Sequence, residues 1–187
     1  MTLITALKGL HDSFFSAIEK LAGTWFLSLF ARFGFLAVLY FYFLNSWKTK
    51  TGDGPLGWLL VSDNAYYQIV PWAVDAAGGE IAEIGLLPSL VVHLGALAEL
   101  LLPLMIVAGL FTRIAAIGMI IFVIVQSFVD IRFHGVDAAT AGAWFDRFSD
   151  ALIWDQRLLW VLALTVLAVK GAGAFSLDHL LSRWWKS

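Results

Sequence analysis

Four stretches of this chain are too apolar to sit in water and long enough, or nearly so, to cross a bilayer. About 20 apolar residues span the ~30 Å of hydrocarbon. The stretches run at about residues 24–47, 86–111, 113–130 and 157–174. The first, opening at Thr24, is interrupted by Arg32. The second, Leu86 to Phe111, carries His93 and Glu99. The third, opening at Arg113, holds Gln126 deep inside it, and the fourth is flanked by Arg157 and broken late by Lys170. Sixty per cent of the 187 residues are apolar and 14% are charged, whereas a soluble domain is about half apolar and about a quarter charged. The pattern predicts one all-α domain over residues 1–187, an integral membrane four-helix bundle. Losing one of the two shorter stretches would leave three spans, with the termini on opposite sides.

The link between the second and third stretches, Gly109 to Arg113, is so short that it forces an antiparallel hairpin. The other two links are long and acidic: Asp53, Asp63, Asp75, Glu80 and Glu83 in one, Asp137, Asp146, Asp150 and Asp155 in the other. Four spans put both termini on one side. Lys8, Lys20, Arg113, Lys170, Arg183 and Lys186 fall there, against Lys48, Lys50, Arg132, Arg147 and Arg157 opposite. The basic C-terminus then points to cytoplasmic termini. No small-residue cleavage site follows a short apolar core, so no removable signal peptide is expected.

Both ends read as amphipathic helices, at about residues 3–21 and 176–186. Leu3, Leu7, Leu10, Phe14, Ile18 and Leu21 recur every three or four positions, and Leu177, Leu180, Leu181 and Trp184 repeat the pattern. Such stripes lie in the membrane interface or pack on the bundle. Ser176 stands where an N-cap starts the last helix, with Asp178 at its positive end. Trp47, Trp144, Trp154 and Trp160 fall near span ends, as an aromatic belt requires.

A charge in hydrocarbon costs several kcal/mol unless it faces a partner. At about 1.5 Å per residue, Arg32 lies about 12 Å from the inner end of its span and Glu99 roughly 18 Å from the same side. The expected pair is therefore Arg32–Glu99, either a structural clasp or a proton- or ligand-handling pair. Pro103 has no N–H and frees the Glu99 carbonyl beside it. Arg32, Leu39, Phe43, Ser46 and Lys50 share one helical face. Ser46, Lys50, Pro103 and Arg113 are the expected cofactor-binding residues. His93, Gln126, Asp130 and His134, with Asn45, form either a divalent-metal site, which their spacing would allow, or an interhelical hydrogen-bond network of the kind that glues membrane bundles; the network is the favoured reading. His11 and His179 fall on the terminal helices and are expected to be solvated.

The chain has no cysteine, which excludes thiolate-held iron–sulfur clusters and disulfides. Only His93 is intramembrane, which argues against bis-His haem. A net charge of −2 offers no field for nucleic acid.

Glu99 to Ala116, ELLLPLMIVAGLFTRIAA, is a Glu-led apolar run closing in Gly-Leu-x-Thr-Arg. With Arg32, the SWKTK segment at Ser46–Lys50 and the ending GAGAFSLDHLL at Gly171–Leu181, it resembles the DoxX family of small four-helix bacterial membrane proteins along nearly the whole chain. VIVQSFVD at Val123–Asp130 and the SLDHLL ending further resemble the branch encoded beside DUF692-type metal-dependent peptide-modifying enzymes. Trp47 stands where members often carry Gly, and the Arg132–Asp155 loop is longer than usual. The resemblance implies a redox-associated membrane subunit, since one group resembles the small subunit of a thiosulfate:quinone oxidoreductase.

Three functions compete. The first is a quinone-exchanging subunit, helped by the aromatic first span (Phe33, Phe35, Tyr40, Phe41, Tyr42, Phe43). The second is a non-enzymatic anchor or assembly partner in a metal-stress or peptide-modification system, with a protein partner on the acidic loops. The third, ranked last, is a small transporter, for which four spans give room only in a homo-oligomer.

Overall fold

Inside hydrocarbon no water satisfies backbone N–H and C=O groups, so a spanning segment must bond them internally as helix. The computed structural model describes residues 3–23, 25–52, 57 and 60–184; Thr24, Asp53 and Lys186 lie outside them. Among the described residues there is no β-strand, only an isolated antiparallel bridge between Thr51 and Val61. The helices are α1 Leu3–Ala22, α2 Phe26–Phe35, α3 Phe41–Lys48, α4 Asp63–Ile69, α5 Pro71–Ala76, α6 Leu86–Ala108, α7 Thr112–Arg132, α8 Ala138–Ala141, α9 Trp154–Lys170 and α10 Leu177–Trp184. A π-turn, Leu36–Tyr40, joins α2 to α3.

Among the described residues three segments are long and apolar enough to cross a membrane: Phe26–Lys48, Leu86–Ala108 and Thr112–Arg132. Of their apolar windows only 28%, 28% and 33% is buried within the chain, so the rest must be covered by lipid or another chain. The fourth stretch is displaced from 157–174. Its helix, α9, has 17 residues, begins at Trp154 and stops at Lys170, because Gly171 turns to φ 79° and breaks the α-helical course. It packs along α7 and α2. The expected Trp160 belt position is also corrected: Trp160 packs inward, 5.3 Å from the Tyr42 ring and 6.2 Å from that of Phe43.

The first span shows how the core is met. Ala31, Phe35, Leu39 and Phe43 are all buried and spaced four apart. In an α-helix each four-residue step overshoots a full turn by about 40°. The wider i→i+5 turn at Leu36–Tyr40 takes up that drift, so all four stay on the core-facing side. The long acidic link between the first two spans contains α4 and α5. Ala65 and Val70 bury against Val92 of α6, so α4 flanks the first half of α6. No residue of α1 is buried, and its apolar stripe is left bare, as an interfacial helix requires.

The α6–α7 turn is held from two directions. The guanidinium of Arg32 donates to carbonyls at the end of α6, Nε to Ile106 (3.1 Å) and Nη2 to Val107. Its Nη1 donates to the carbonyls of Ala172 (3.3 Å) and Phe175. A cation thus sits on the negative end of a helix. Asp178 does the converse. Its carboxylate accepts from the N–H groups of Phe111 (2.6 Å) and Thr112 (2.9 Å) at the start of α7, and its own N–H donates to Gly109 O at 2.8 Å. Ser176 caps α10 as expected, its Oγ accepting from His179 N at 3.1 Å, whereas Asp178, expected to serve the same helix, is spent on the start of α7.

Gly109 has φ 69°, and a Cβ there would stand 2.6 Å from Ser176 Cβ and 2.9 Å from Arg32 Cζ. Gly109→Ala is therefore expected to destabilise by about 2 kcal/mol or more, adding left-handed strain to overpacking. Thermal loss of the monodisperse peak in detergent reads this, and an unchanged midpoint would contradict the clasp.

Candidate functional site

The expected Arg32–Glu99 pair does not form. Arg32 lies beside Gly109, level with the last turn of α6, and spends its donors on the four carbonyls above. Glu99 lies thirteen residues into α6, about 20 Å along the axis from Leu86, and its partner is Lys50. Nζ of Lys50 stands 2.9 Å from Glu99 Oε2, with side-chain exposures of 7% and 2%. Depth counting from span ends misses this because α6 extends past the end of the first span, where α4 rather than α3 flanks it. Lys50, just beyond α3, thus meets the middle of α6.

Lys50 also donates to Ser46 Oγ at 2.7 Å and to the Ser46 carbonyl at 3.2 Å. The carboxylate has a positive charge beside it, but among the described residues no donor is aligned on Oε2. Pro103, one turn on and buried, cannot donate to the Glu99 carbonyl, since it lacks an N–H.

The pair lies in the wall of a cavity of about 550 Å³. One wall is α6, with Val91, Leu94, Gly95 and Ala98; the other is α7, with Gly118, Ile121, Phe122 and Val125. Gly95, Ala98 and Gly118 leave the space that larger side chains would fill; a Cβ on Gly118 would already press Leu102 at 3.1 Å. Gln68 and Ile69 of α4 close one end, where Gln126, Asp130 and His134 add polar groups. Val91, Leu94, Ile121 and Val125 are also about half exposed on the outer surface of the helix pair. The cavity therefore opens sideways between α6 and α7.

The expected set of His93, Gln126, Asp130 and His134 is split. His93 is exposed and bonds the carbonyl of Ser89 on its own helix at 2.8 Å; it does not line the cavity, and neither does Asn45, which is also exposed. The other three line it but take separate partners. Gln126 Nε2 donates to Tyr42 OH at 3.0 Å, while its Oε1 is buried without a partner. His134 Nε2 lies 3.1 Å from the Gln68 carbonyl. Asp130 forms an ion pair with Arg157. Among the described residues no three His, Cys, Asp or Glu side chains converge as metal ligands.

Of the expected cofactor residues, Ser46 and Lys50 line the cavity; Pro103 and Arg113 do not. Arg113 is exposed at the opposite end of α7, close to Gly171. Arg157, read from sequence as a flanking charge, is buried inside α9. It donates to Ser127 Oγ at 3.0 Å and to Asp130. The sequence offered only a partial signal for it: a cation at the edge of an apolar run, with the acid Asp130 at the end of a neighbouring one.

An all-helical chain with apolar spans left bare and ion pairs turned inward is a membrane protein. The family model described as DoxX matches residues 27–130, more than half of the chain, and the chain belongs to the DoxX family. The match contains Arg32, Lys50, Glu99 and both cavity walls, and ends before Arg157. No curated protein and no solved structure matches the chain.

Breaking a buried ion pair by removing one partner costs about 3–5 kcal/mol, while neutralising both is often tolerated. Lys50→Met and Glu99→Gln are each expected to lower thermal stability by that order, and the double variant to recover most of the loss. Additive losses in the double variant would show that the two charges do not interact.

Proposed function

We propose that this protein is a redox-associated inner-membrane subunit that binds a quinone-class carrier in the α6–α7 cavity and exchanges protons with it through the Lys50–Glu99 pair. In this reading four helices cross the membrane, α9 among them, and both termini are cytoplasmic. The observation that carries it is a buried Lys–Glu pair in the wall of an apolar cavity that opens toward lipid. A volume of about 550 Å³ lies within the roughly 300–1,000 Å³ of small-molecule sites. A lateral mouth between apolar helices admits a ligand that partitions into the bilayer. Reduction of a quinone to a quinol takes two electrons and two protons. The electrons come from a partner redox protein; the protons pass through Glu99, with Lys50 stabilising its carboxylate when the proton leaves. General acid–base transfer of this kind contributes about 10²–10⁴-fold.

The test is binding of a short-chain benzoquinone to the full-length protein in nanodiscs, followed by quinone reduction in membranes that contain the partner. Glu99→Gln is expected to cut quinone-dependent turnover about 10²-fold or more. A wild-type protein that binds no quinone, or unchanged turnover in Glu99→Gln, would sink the reading.

One observation favours a second reading, a non-enzymatic anchor or assembly partner in a metal-stress or peptide-modification system. Phe145 stands fully exposed at φ 67° beside Trp144 and Phe148, themselves 51% and 60% exposed, in the acidic loop before α9. An exposed aromatic tip on strained backbone fits a docking contact. Co-purification of a partner that Phe145→Ser abolishes is the expected result; retention of every partner by that variant counts against it.

A further inference from the structure

We infer that Glu99 trades its proton with water on one side of the membrane alone, the side of the α4–α5 link, so that the protons a bound carrier takes up come from there; this rests on the carrier reading above. In the α6–α7 hairpin Gly118 packs on Leu102, and counting equal steps away from the turn sets Glu99 opposite Ile121 and Phe122. From that level the lining of α7 continues toward the link as Gln126, Asp130 and His134. These are four residues apart and so share a face, each about 6 Å beyond the last. Gln126 and Asp130 are partly buried, and His134 at the end of the strip is exposed.

The same end of the cavity can hold water. A buried water needs several polar partners, and the amides of Gln68 and Gln126 and the Asp130 carboxylate stand together there. Gln126 Oε1 is buried and, among the described residues, has no hydrogen-bond partner. Lys50 belongs to this side too. It lies two residues past α3, and its carbonyl accepts from Ser62 N at 2.9 Å, so the ammonium beside Glu99 reaches in from the root of the link. Acid, histidine and water groups in series are the usual proton relay of a membrane interior.

The opposite direction is closed. Between Glu99 and the turn at Gly109 the interior is built from Phe35, Leu39, Ile106, Ala115 and Met119, all buried. Among the described residues the next buried polar side chains on that side are Thr112 and Ser28, at the starts of α7 and α2. From Glu99 to the last residue of α6 is nine residues, about 14 Å of helix. A proton entering that plug would be an unpaired charge in an apolar medium, at a cost of several kcal/mol.

The route gives the reaction a direction. Each proton that Glu99 passes to the carrier is replaced from loop-side water. When the redox partner docks on the same side, two electrons and two protons enter together. Quinone then becomes hydroquinone with no net charge moved across the membrane.

The test reads the proton on Glu99. Dicyclohexylcarbodiimide is an apolar reagent that enters from the bilayer and modifies a carboxyl group when it is protonated. The full-length protein is held in sealed vesicles whose inner and outer pH are set separately, and mass spectrometry follows modification of the peptide containing Glu99. In a separate sample, Ala139→Cys places a single thiol on exposed α8 of a chain without cysteine, and an impermeant maleimide then shows which face is the loop side. Acidifying the loop side is expected to speed modification severalfold, and acidifying the other side to leave it unchanged. Modification that follows the other side, both sides or neither would overturn the one-sided route. A short-chain benzoquinone is expected to protect Glu99 from the reagent. Protection combined with the wrong side would sink the route and leave the carrier reading standing; the expected side without protection would do the reverse. Absence of modification under every condition would overturn both, because the cavity would be closed to lipid or Glu99 unable to take a proton.

Discussion

A charge held away from water must meet its opposite, or a set of carbonyl dipoles, within contact distance, and this protein is arranged around three such meetings. Lys50 meets Glu99, Arg157 meets Asp130, and Arg32 meets the carbonyls that end α6 and precede α10. Each joins a different pair of segments. Together they tie the first span to α6, α7 to α9, and the C-terminal segment to the α6–α7 turn. In lipid, apolar side chains gain little by facing one another rather than acyl chains, so packing and polar contacts set which helix faces which. The ion pairs are the contacts with the most to lose from a wrong arrangement.

The cavity follows from the same arrangement. Small residues at Gly95, Ala98 and Gly118 leave room between α6 and α7, and the turn held by Arg32 and Asp178 fixes how the two helices begin to diverge. Because Glu99 sits in mid-helix, its pair with Lys50 lies in the cavity wall rather than at the membrane surface. An apolar pocket containing an ion pair is a place where a lipid-soluble molecule can meet a group able to take or give a proton. That combination, more than any one residue, supports the redox reading.

Much of this was legible residue by residue. Glu99 stood out as a carboxylate in hydrocarbon, and Ser46, Lys50, Gln126, Asp130 and His134 were all singled out; each lines the cavity. The errors were errors of partner and level. Arg32 was matched to Glu99 by counting from span ends as if helices began flush. In fact α6 runs past the first span, and Arg32 falls beside Gly109. His93 was assigned to the interior from its place in an apolar run, but its face of α6 turns outward. Arg157 passed for a flanking charge because the fourth helix begins three residues earlier, at Trp154.

The sequence alone determined that the chain is helical, where three long spans run, that α6 and α7 form a hairpin, and which residues are too polar for their surroundings. Those properties are local: each backbone group must be satisfied within a few residues, and each apolar run declares its own solvent. Tertiary structure decided which charge meets which, that a π-turn keeps Ala31 through Phe43 on one side, and that a cavity opens beside Glu99. Axial stagger and rotation between helices depend on how side chains from distant parts of the chain interlock, and no single run of residues contains that information.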